Sequence, residues 1–273
     1  MLRYAVIGDP IKHSLSPTIH TAFAGQLGIE LQYDRIQVSL ESFADDVNEF
    51  FAAGGLGLNV TMPLKTLAFE YADITTDSAL SAGAANTLQF LSNDVVLAAT
   101  TDGTGLVQDL HYHNVELTNK RVLLLGAGGA ARSCVGALLH EKPEALFIYN
   151  RTQATAQALI KHAERQGTIH LLDDSNPAEP FDVVINATSA SLGGARPDIN
   201  HRLLKGAVCY DMMYGDNAAP FTKWALASGA LAAHDGMGML IEQAAASFLL
   251  WHDVLPDTGP VRELLSAQQT VRR

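Results

Sequence analysis

The chain has 273 residues, 48% hydrophobic and only 17% charged, which is ample for one large or two modest packed domains. Its formal net charge of −11, without a basic run, argues against a nucleic-acid or anionic-membrane partner. No stretch approaches the ~18 apolar residues of a membrane span, and the N-terminus enters a strand without a signal-peptide core, so a cytoplasmic protein is expected. The two cysteines, Cys134 and Cys209, lack metal-like spacing and read as reduced, buried thiols.

Strand-like and helical runs alternate along the chain, the pattern of a parallel α/β architecture. A strand over Tyr4–Ile7 is followed by His13-Ser14-Leu15-Ser16-Pro17 and a helix over Pro17–Leu27. In extended conformation Ser14 and Ser16 project to the same side, and two hydroxyls at a helix N-terminus can hold a carboxylate. Ser16 can equally serve as a helix cap and nothing more, and taken alone the cap is the preferred reading. A strand at Gln32–Val38, a helix at Ser42–Ala52 and a strand at Leu56–Val60 lead into Asn59-Val-Thr61-Met-Pro63-Leu-Lys65. Pro63 suits the first position of a helix, which puts Lys65 in the first turn, where the macrodipole disfavours a cation. A solvated surface lysine and a functional one are evenly matched there. Two short strands, Asn86–Phe90 and Val95–Ala99, precede Thr101-Asp102-Gly103-Thr104-Gly105. Asp102 either caps the helix that opens there or presents a carboxylate at the carboxyl end of a strand, where α/β proteins bind ligands. Paired with Lys65, it makes an acid–base dyad.

From Lys120 onward βα units repeat, with strands at Arg121–Leu125, Ala145–Tyr149, Val183–Asn186, Ala207–Tyr210 and Ala230–Ala233. The first runs through Gly126-Ala127-Gly128-Gly129-Ala130-Ala131 into a helix from Arg132 to His140, the context of a dinucleotide-binding turn. The first glycine permits the tight turn, the second lets the backbone approach a pyrophosphate, and the small Ala131 packs helix on strand. The next strand ends in Asn150-Arg151-Thr152, with no acid where an NAD enzyme holds its ribose. An arginine there suits a 2′-phosphate, so the cofactor reads as NADP. The loop Asp173–Pro180 reads as a solvated connection. His111 and His113 are two apart and off one helical face, against a metal site, and His13, His20 and His234 stand isolated in the sequence. A long Ala/Leu/Met-rich helical pattern runs from Gly236 to about Val254. Two α/β units fit the length, and the cleft between such units is where a ligand is expected.

In this order the motifs closely resemble the shikimate/quinate dehydrogenase family over nearly the whole chain. The resemblance rests on Ser14-Leu-Ser16-Pro17, Asn59-Val-Thr61-Met-Pro63-Leu-Lys65, Gly83-Ala-Ala-Asn86-Thr, Thr101-Asp102-Gly103 and the glycine turn at 126–131. Asn150-Arg-Thr152, Asn186-Ala-Thr188-Ser189, Tyr210-Asp-Met212-Met-Tyr214 and Asp235-Gly236-Met-Gly-Met239 through Gln243 complete it. It implies an NADP-dependent shikimate dehydrogenase of aromatic amino-acid biosynthesis, without metal, taking 3-dehydroshikimate as a small-molecule substrate and existing as a monomer or homodimer. Lys65 and Asp102 would form the catalytic pair, and Ser14, Ser16, Thr61, Asn86, Asp102, Tyr214 and Gln243 the substrate pocket, with Asn59 in support. Residues 126–131, Asn150, Arg151, Thr152, Thr188, Met212, Gly236 and Met239 would hold NADP. The implied fold is an α/β substrate domain of residues 1–102 plus 237–273, completed by C-terminal helices, with a Rossmann-type domain inserted over 103–236. Two alternatives stand beside this reading: a quinate/shikimate dehydrogenase with relaxed NAD use, and a catalytically silent NADP-binding regulator. The chain departs from the family pattern at Thr100, where Asn is usual. It also departs at Thr155 and Ala156, where a second basic residue often sits, so Arg151 carries the 2′-phosphate charge alone.

Overall fold

The computed structural model describes residues 1–173, 179–190 and 194–271; most of the loop expected at Asp173–Pro180 lies outside these. The chain forms two compact units, Met1–Gly105 with Leu240–Arg273, and Leu106–Met239. Unit 1 runs β1 (Leu2–Gly8), α1 (Ser16–Leu27), β2 (Leu31–Gln37), α2 (Phe43–Ala52), β3 (Gly55–Val60), α3 (Lys65–Tyr71), β4 (Ile74–Thr75), α4 (Asp77–Ala82), β5 (Thr87–Phe90) and β6 (Val96–Ala99). Helix α5 (Asp102–Tyr112) then leads into unit 2. That unit comprises β7 (Arg121–Leu125), α6 (Gly129–His140), β8 (Ala145–Tyr149), α7 (Gln153–Ala163), β9 (Ile169–Leu171), β10 (Val183–Asn186), β11 (Val208–Asp211), α8 (Ala219–Ala227) and β12 (Ala232–His234). Helix α9 (Met237–His252) returns to unit 1, and α10 (Gly259–Val271) ends the chain.

The unit 1 sheet has the order β2-β1-β3-β5-β6-β4. β1 is parallel to β2 and β3, whereas β5 is antiparallel to both β3 and β6. The sheet is therefore mixed, which corrects the all-parallel expectation. The link 91–95 is too short for the crossover that parallel neighbours require. β1 is apolar on consecutive residues because both of its faces are covered. Ala5 and Ile7 join a core with Val47, Phe50, Leu58, Val60 and Leu64, while Tyr4 and Val6 pack with Ile11 and Tyr33. Pro63 lies in the turn before α3, not inside it, so Lys65 is that helix's first residue. Trp251 of α9 donates Nε1–H to the Leu88 carbonyl (3.1 Å) and lies so close to Gly57 that a Cβ there would overlap the indole. That contact seats α9 on the sheet.

His20 of α1 is fully buried, stacked on Tyr33 (4.4 Å, 11°) with Phe23, Phe248 and Trp251 around it. Neither ring nitrogen has a hydrogen-bond partner among the described residues. Burial pushes this imidazole down from its usual 6.5 to about 3. The unfolded chain therefore binds a proton between those values that the folded chain does not, and stability falls as pH drops through this window. The slope from this one group is at most about 1.4 kcal/mol per pH unit. Replacing His20 with Phe is expected to flatten the decline in urea midpoint between pH 7 and pH 4. Identical slopes for both proteins would show that the ring does not stay neutral in the folded chain.

Unit 2 is an entirely parallel sheet, β12-β11-β10-β7-β8-β9. Its central strand β7 is buried on both faces, with Val122, Leu123, Leu124 and Leu125 all at 0% exposure, which is why the sequence there is continuously apolar. The chain builds outward from β7 to β9, then starts again at β10 on the other side. This reversal opens a crevice beyond the carboxyl ends of β7 and β10, the usual dinucleotide position in such sheets. Cys134 and Cys209 are buried, and neither forms a disulfide among the described residues. Among the described residues, no helix is long and apolar enough to cross a membrane.

Candidate active site

Lys65 opens α3 and Asp102 opens α5, and their side chains meet, Nζ to Oδ2, at 2.6 Å. Both are largely withdrawn from water, at 17% and 8% side-chain exposure. A carboxylate at a helix N-terminus is stabilised by the exposed N–H groups; a cation there is not, and the partner carboxylate offsets that disadvantage. Neither Asp102 oxygen accepts a backbone N–H among the described residues: Oδ2 takes Lys65 and Oδ1 takes Asn86 Nδ2 at 3.0 Å. The carboxylate is thus engaged by side chains and is not a helix cap.

Asn86 is oriented from behind. Its Oδ1 accepts the Thr101 backbone N–H (2.9 Å), which turns Nδ2 toward Asp102, Thr101 Oγ1 and Gln243 Oε1. Gln243 is fixed in the same way, because Nε2 donates to the Leu240 carbonyl (2.8 Å) and leaves Oε1 facing Asn86. One turn along α9, Ser247 donates to the Gln243 carbonyl and accepts from Asn59 Nδ2 at 3.0 Å, with Thr87 Oγ1 2.8 Å away. Asn59 Oδ1 in turn accepts the Tyr33 hydroxyl at 2.6 Å. Burial raises the Tyr33 pKa well above its usual value, opposed by a hydrogen bond from Ser16. A continuous hydrogen-bonded chain, Tyr33–Asn59–Asn86–Asp102–Lys65, therefore runs to the candidate dyad, with Ser16 acting on its Tyr33 end. Tyr33, Thr87 and Ser247 were not legible as members. Their partners lie 26 and 160 residues away in the sequence, and no local spacing carries that signal.

Ser14 and Ser16 lie side by side, Oγ to Oγ at 3.1 Å. The expected helix-capping role of Ser16 is not observed, since α1 begins at Ser16 itself and has no side-chain cap. Arg35 of β2 donates Nε–H to the Ser14 carbonyl (2.8 Å), which brings a cation to this loop that no sequence motif announces. Thr61 does not join the buried network; its methyl group packs where a side chain at Gly8 would stand.

In unit 2, Gly126 holds φ = 111°, open to glycine, and a Cβ there would press at 3.3 Å on the Ala187 backbone. Gly128 is the N-cap residue of α6, and Ala131 is fully buried against the sheet. A Cβ at Gly128 or Gly129 would meet no atom within 4 Å, which leaves room for a ligand to reach the backbone N–H groups. Arg151 and Thr152 are exposed after β8, and Asn150 Nδ2 donates to the Thr152 carbonyl. Thr188 bonds Asn186 Oδ1 through both its N–H and its hydroxyl. Tyr214 and Met212 are half-buried beyond β11, and Asp235 accepts the Gly215 and Met237 N–H groups. Among the described residues, no group of three or more His, Cys, Asp or Glu could hold a metal.

A doubly wound parallel unit with a glycine turn, and a second unit carrying a buried lysine–aspartate pair, define the class of two-domain α/β oxidoreductases. Family models match residues 6–88 as a shikimate dehydrogenase substrate binding domain, 109–211 as shikimate/quinate 5-dehydrogenase and 236–265 as a shikimate 5′-dehydrogenase C-terminal domain. The chain belongs to the shikimate dehydrogenase family. It is 49% identical to a shikimate dehydrogenase (NADP(+)) of Alkalilimnicola ehrlichii, over 95% of this chain and 96% of the relative. The crystal structure of an Ael1 enzyme from Pseudomonas putida superposes with a TM-score of 0.91 at 40% identity, covering 97% and 98% of the two chains. That of shikimate 5-dehydrogenase from Thermus thermophilus, in complex with NADP(H) and shikimate, gives 0.85 at 30% identity, covering 96% and 98%.

Proposed function

We propose that the protein catalyses the reversible NADPH-dependent reduction of 3-dehydroshikimate to shikimate. The observation that carries the reading is the Lys65–Asp102 pair at 2.6 Å, held through Asn86 and Gln243. A silent cofactor-binding regulator has no need of a partly dehydrated ion pair oriented by a buried amide chain. The glycine turn at 126–131, with room above Gly128 and Gly129, fits a pyrophosphate, and Arg151 fits a 2′-phosphate. Thr188, Met212, Gly236 and Met239 would complete the cofactor site. When bound, NADPH supplies the hydride that reduces the ring ketone. Lys65 delivers the proton to the oxygen that becomes the hydroxyl, and in the reverse direction takes it back. Asp102 holds the lysine in place and balances its charge. Ser14 and Ser16 bind the substrate carboxylate, with Arg35 lending positive charge in a protein whose net charge is −11. Asn86, Gln243, Thr61 and Tyr214 would contact the ring hydroxyls. Two buried cysteines outside any disulfide suit a reducing, cytoplasmic setting, and a monomer or homodimer suffices for this chemistry.

The test is NADPH and NADH oxidation with 3-dehydroshikimate and 3-dehydroquinate, side by side. Turnover is expected with NADPH and 3-dehydroshikimate above the other three combinations; no turnover with any would sink the reading. Arg151→Ala separates the cofactor alternatives in the same assay. Losing charge-assisted bonds of about 1.5–3 kcal/mol corresponds to a rise of roughly 10–150-fold in KM for NADPH. KM for NADH should barely move. Equal changes for both cofactors would reject the 2′-phosphate role and favour the NAD-tolerant quinate alternative.

A further inference from the structure

Asp109 of α5 has no exposed surface and sits in an otherwise apolar core with Leu106, Val107, Leu110, Val122 and Leu124. An ionised carboxylate out of reach of water is costly unless donors meet it. Here the Tyr210 hydroxyl of β11, itself fully buried, donates to Oδ2 at 2.6 Å. His113, one turn further on and just past the end of α5, brings Nε2 to 3.8 Å from Oδ1 while its ring stacks on His234. The third neighbour is the first turn of α9. A Cβ at Gly238 would overlap the Asp109 carboxylate, so the two groups are in direct apposition and only glycine fits. The Met239 backbone N–H faces the Tyr210 hydroxyl and opposes the rise that burial and Asp109 cause in its pKa, so the phenol stands between that turn and the carboxylate.

Packed apolar residues at both 109 and 210 could serve this core as well, since replacing a buried polar pair together is often neutral or stabilising. What the carboxylate supplies is a fixed place for one backbone segment. From the other side, the Gly236 N–H donates to the Met213 carbonyl (2.8 Å), and a Cβ at Gly236 would overlap the Met212 carbonyl. Residues 236–239 are thus clamped between the end of β11 and Asp109. On the dehydrogenase reading, which this inference rests on, Met212, Gly236 and Met239 hold NADP, and because they follow β11, across β7 from the β8 end that carries Arg151, they would meet its nicotinamide end. We infer that Asp109 and Tyr210 are positioning residues for that end of the cofactor, acting through the Gly236–Met239 turn.

Two variants test this. Tyr210→Phe keeps the ring and removes the hydroxyl that holds Asp109 against the turn, and Gly238→Ala drives a methyl group into the carboxylate. Each would be titrated with NADPH and with adenosine 2′,5′-bisphosphate, which carries the 2′-phosphate but no nicotinamide. NADPH binding is expected to weaken by at least about tenfold, the equivalent of about 1.4 kcal/mol, while binding of the bisphosphate stays within about twofold. A general loss of structure would weaken both ligands together and lower the melting temperature in step. Parallel weakening, or no change in NADPH affinity for the folded Tyr210→Phe protein, would overturn the inference. Failure of the wild-type protein to bind NADPH would bring down the dehydrogenase reading itself, and this inference with it.

Discussion

Lys65→Ala is expected to lower kcat for shikimate oxidation by about 10²–10⁴, the usual worth of a positioned general acid or base. KM for shikimate should change far less, because the carboxylate-binding serines and the amide chain are untouched. The geometry motivates the size of the effect. Nζ lies 2.6 Å from Asp102 Oδ2, and the side chain keeps 17% of its surface open, enough to meet a substrate and too little for a solvated surface lysine. Removing it leaves the Asp102 carboxylate with Asn86 as its remaining side-chain donor, so some loss of stability accompanies the substitution. Melting temperature and kcat must therefore be read together. A folded variant with near-wild-type kcat would refute the assignment.

Asp102→Asn should remove most of the turnover, by about 10² or more, because the carboxylate holds the lysine in place. Two donors, Lys65 Nζ and Asn86 Nδ2, converge on the two carboxylate oxygens. An amide offers one oxygen and one NH₂, so whichever way it turns, one donor faces another donor. The ion pair with Lys65 is lost in either case. Far-ultraviolet circular dichroism should be unchanged, since no helix-capping bond is involved. If kcat survives and only the melting temperature falls, the residue serves structure alone.

The parts of this molecule legible in its sequence are those in which neighbours in the chain are neighbours in space. The run from Val122 to Ala131 declares a buried parallel strand, a glycine turn and a helix within a single short segment. The alternation of strand and helix likewise declares two α/β units. The direction of β5 was misread although the signal was present: a link of residues 91–95 cannot carry a parallel crossover. β4, β9 and α4 escape the sequence reading because short, partly polar segments carry too few periods to register. At the candidate site, Lys65 stands out because a cation is disfavoured in a helix's first turn, and Asp102 because it follows the carboxyl end of a strand. Their support does not. Tyr33, Thr87 and Ser247 are ordinary strand and helix residues whose role exists only through distant partners, and Arg35 became notable only when the loop holding Ser14 folded back over β2. The apposition of Asp109 and Gly238 was invisible for the same reason.

Unit 1 is assembled from two separated stretches, whereas unit 2 is continuous from Leu106 to Met239. Synthesis on the ribosome therefore delivers the halves in an unusual order. Lys65 and Asp102 emerge early, but Gln243, Ser247 and Trp251, which seat against Asn86, Asn59 and Gly57, are made only after all of unit 2. At about 5–20 residues per second, the nascent first stretch waits several seconds with its polar cluster incomplete. The inserted unit has everything it needs to fold first. A stalled chain ending near Met239 should thus protect the cofactor-type unit from proteolysis and leave the N-terminal stretch open to cleavage.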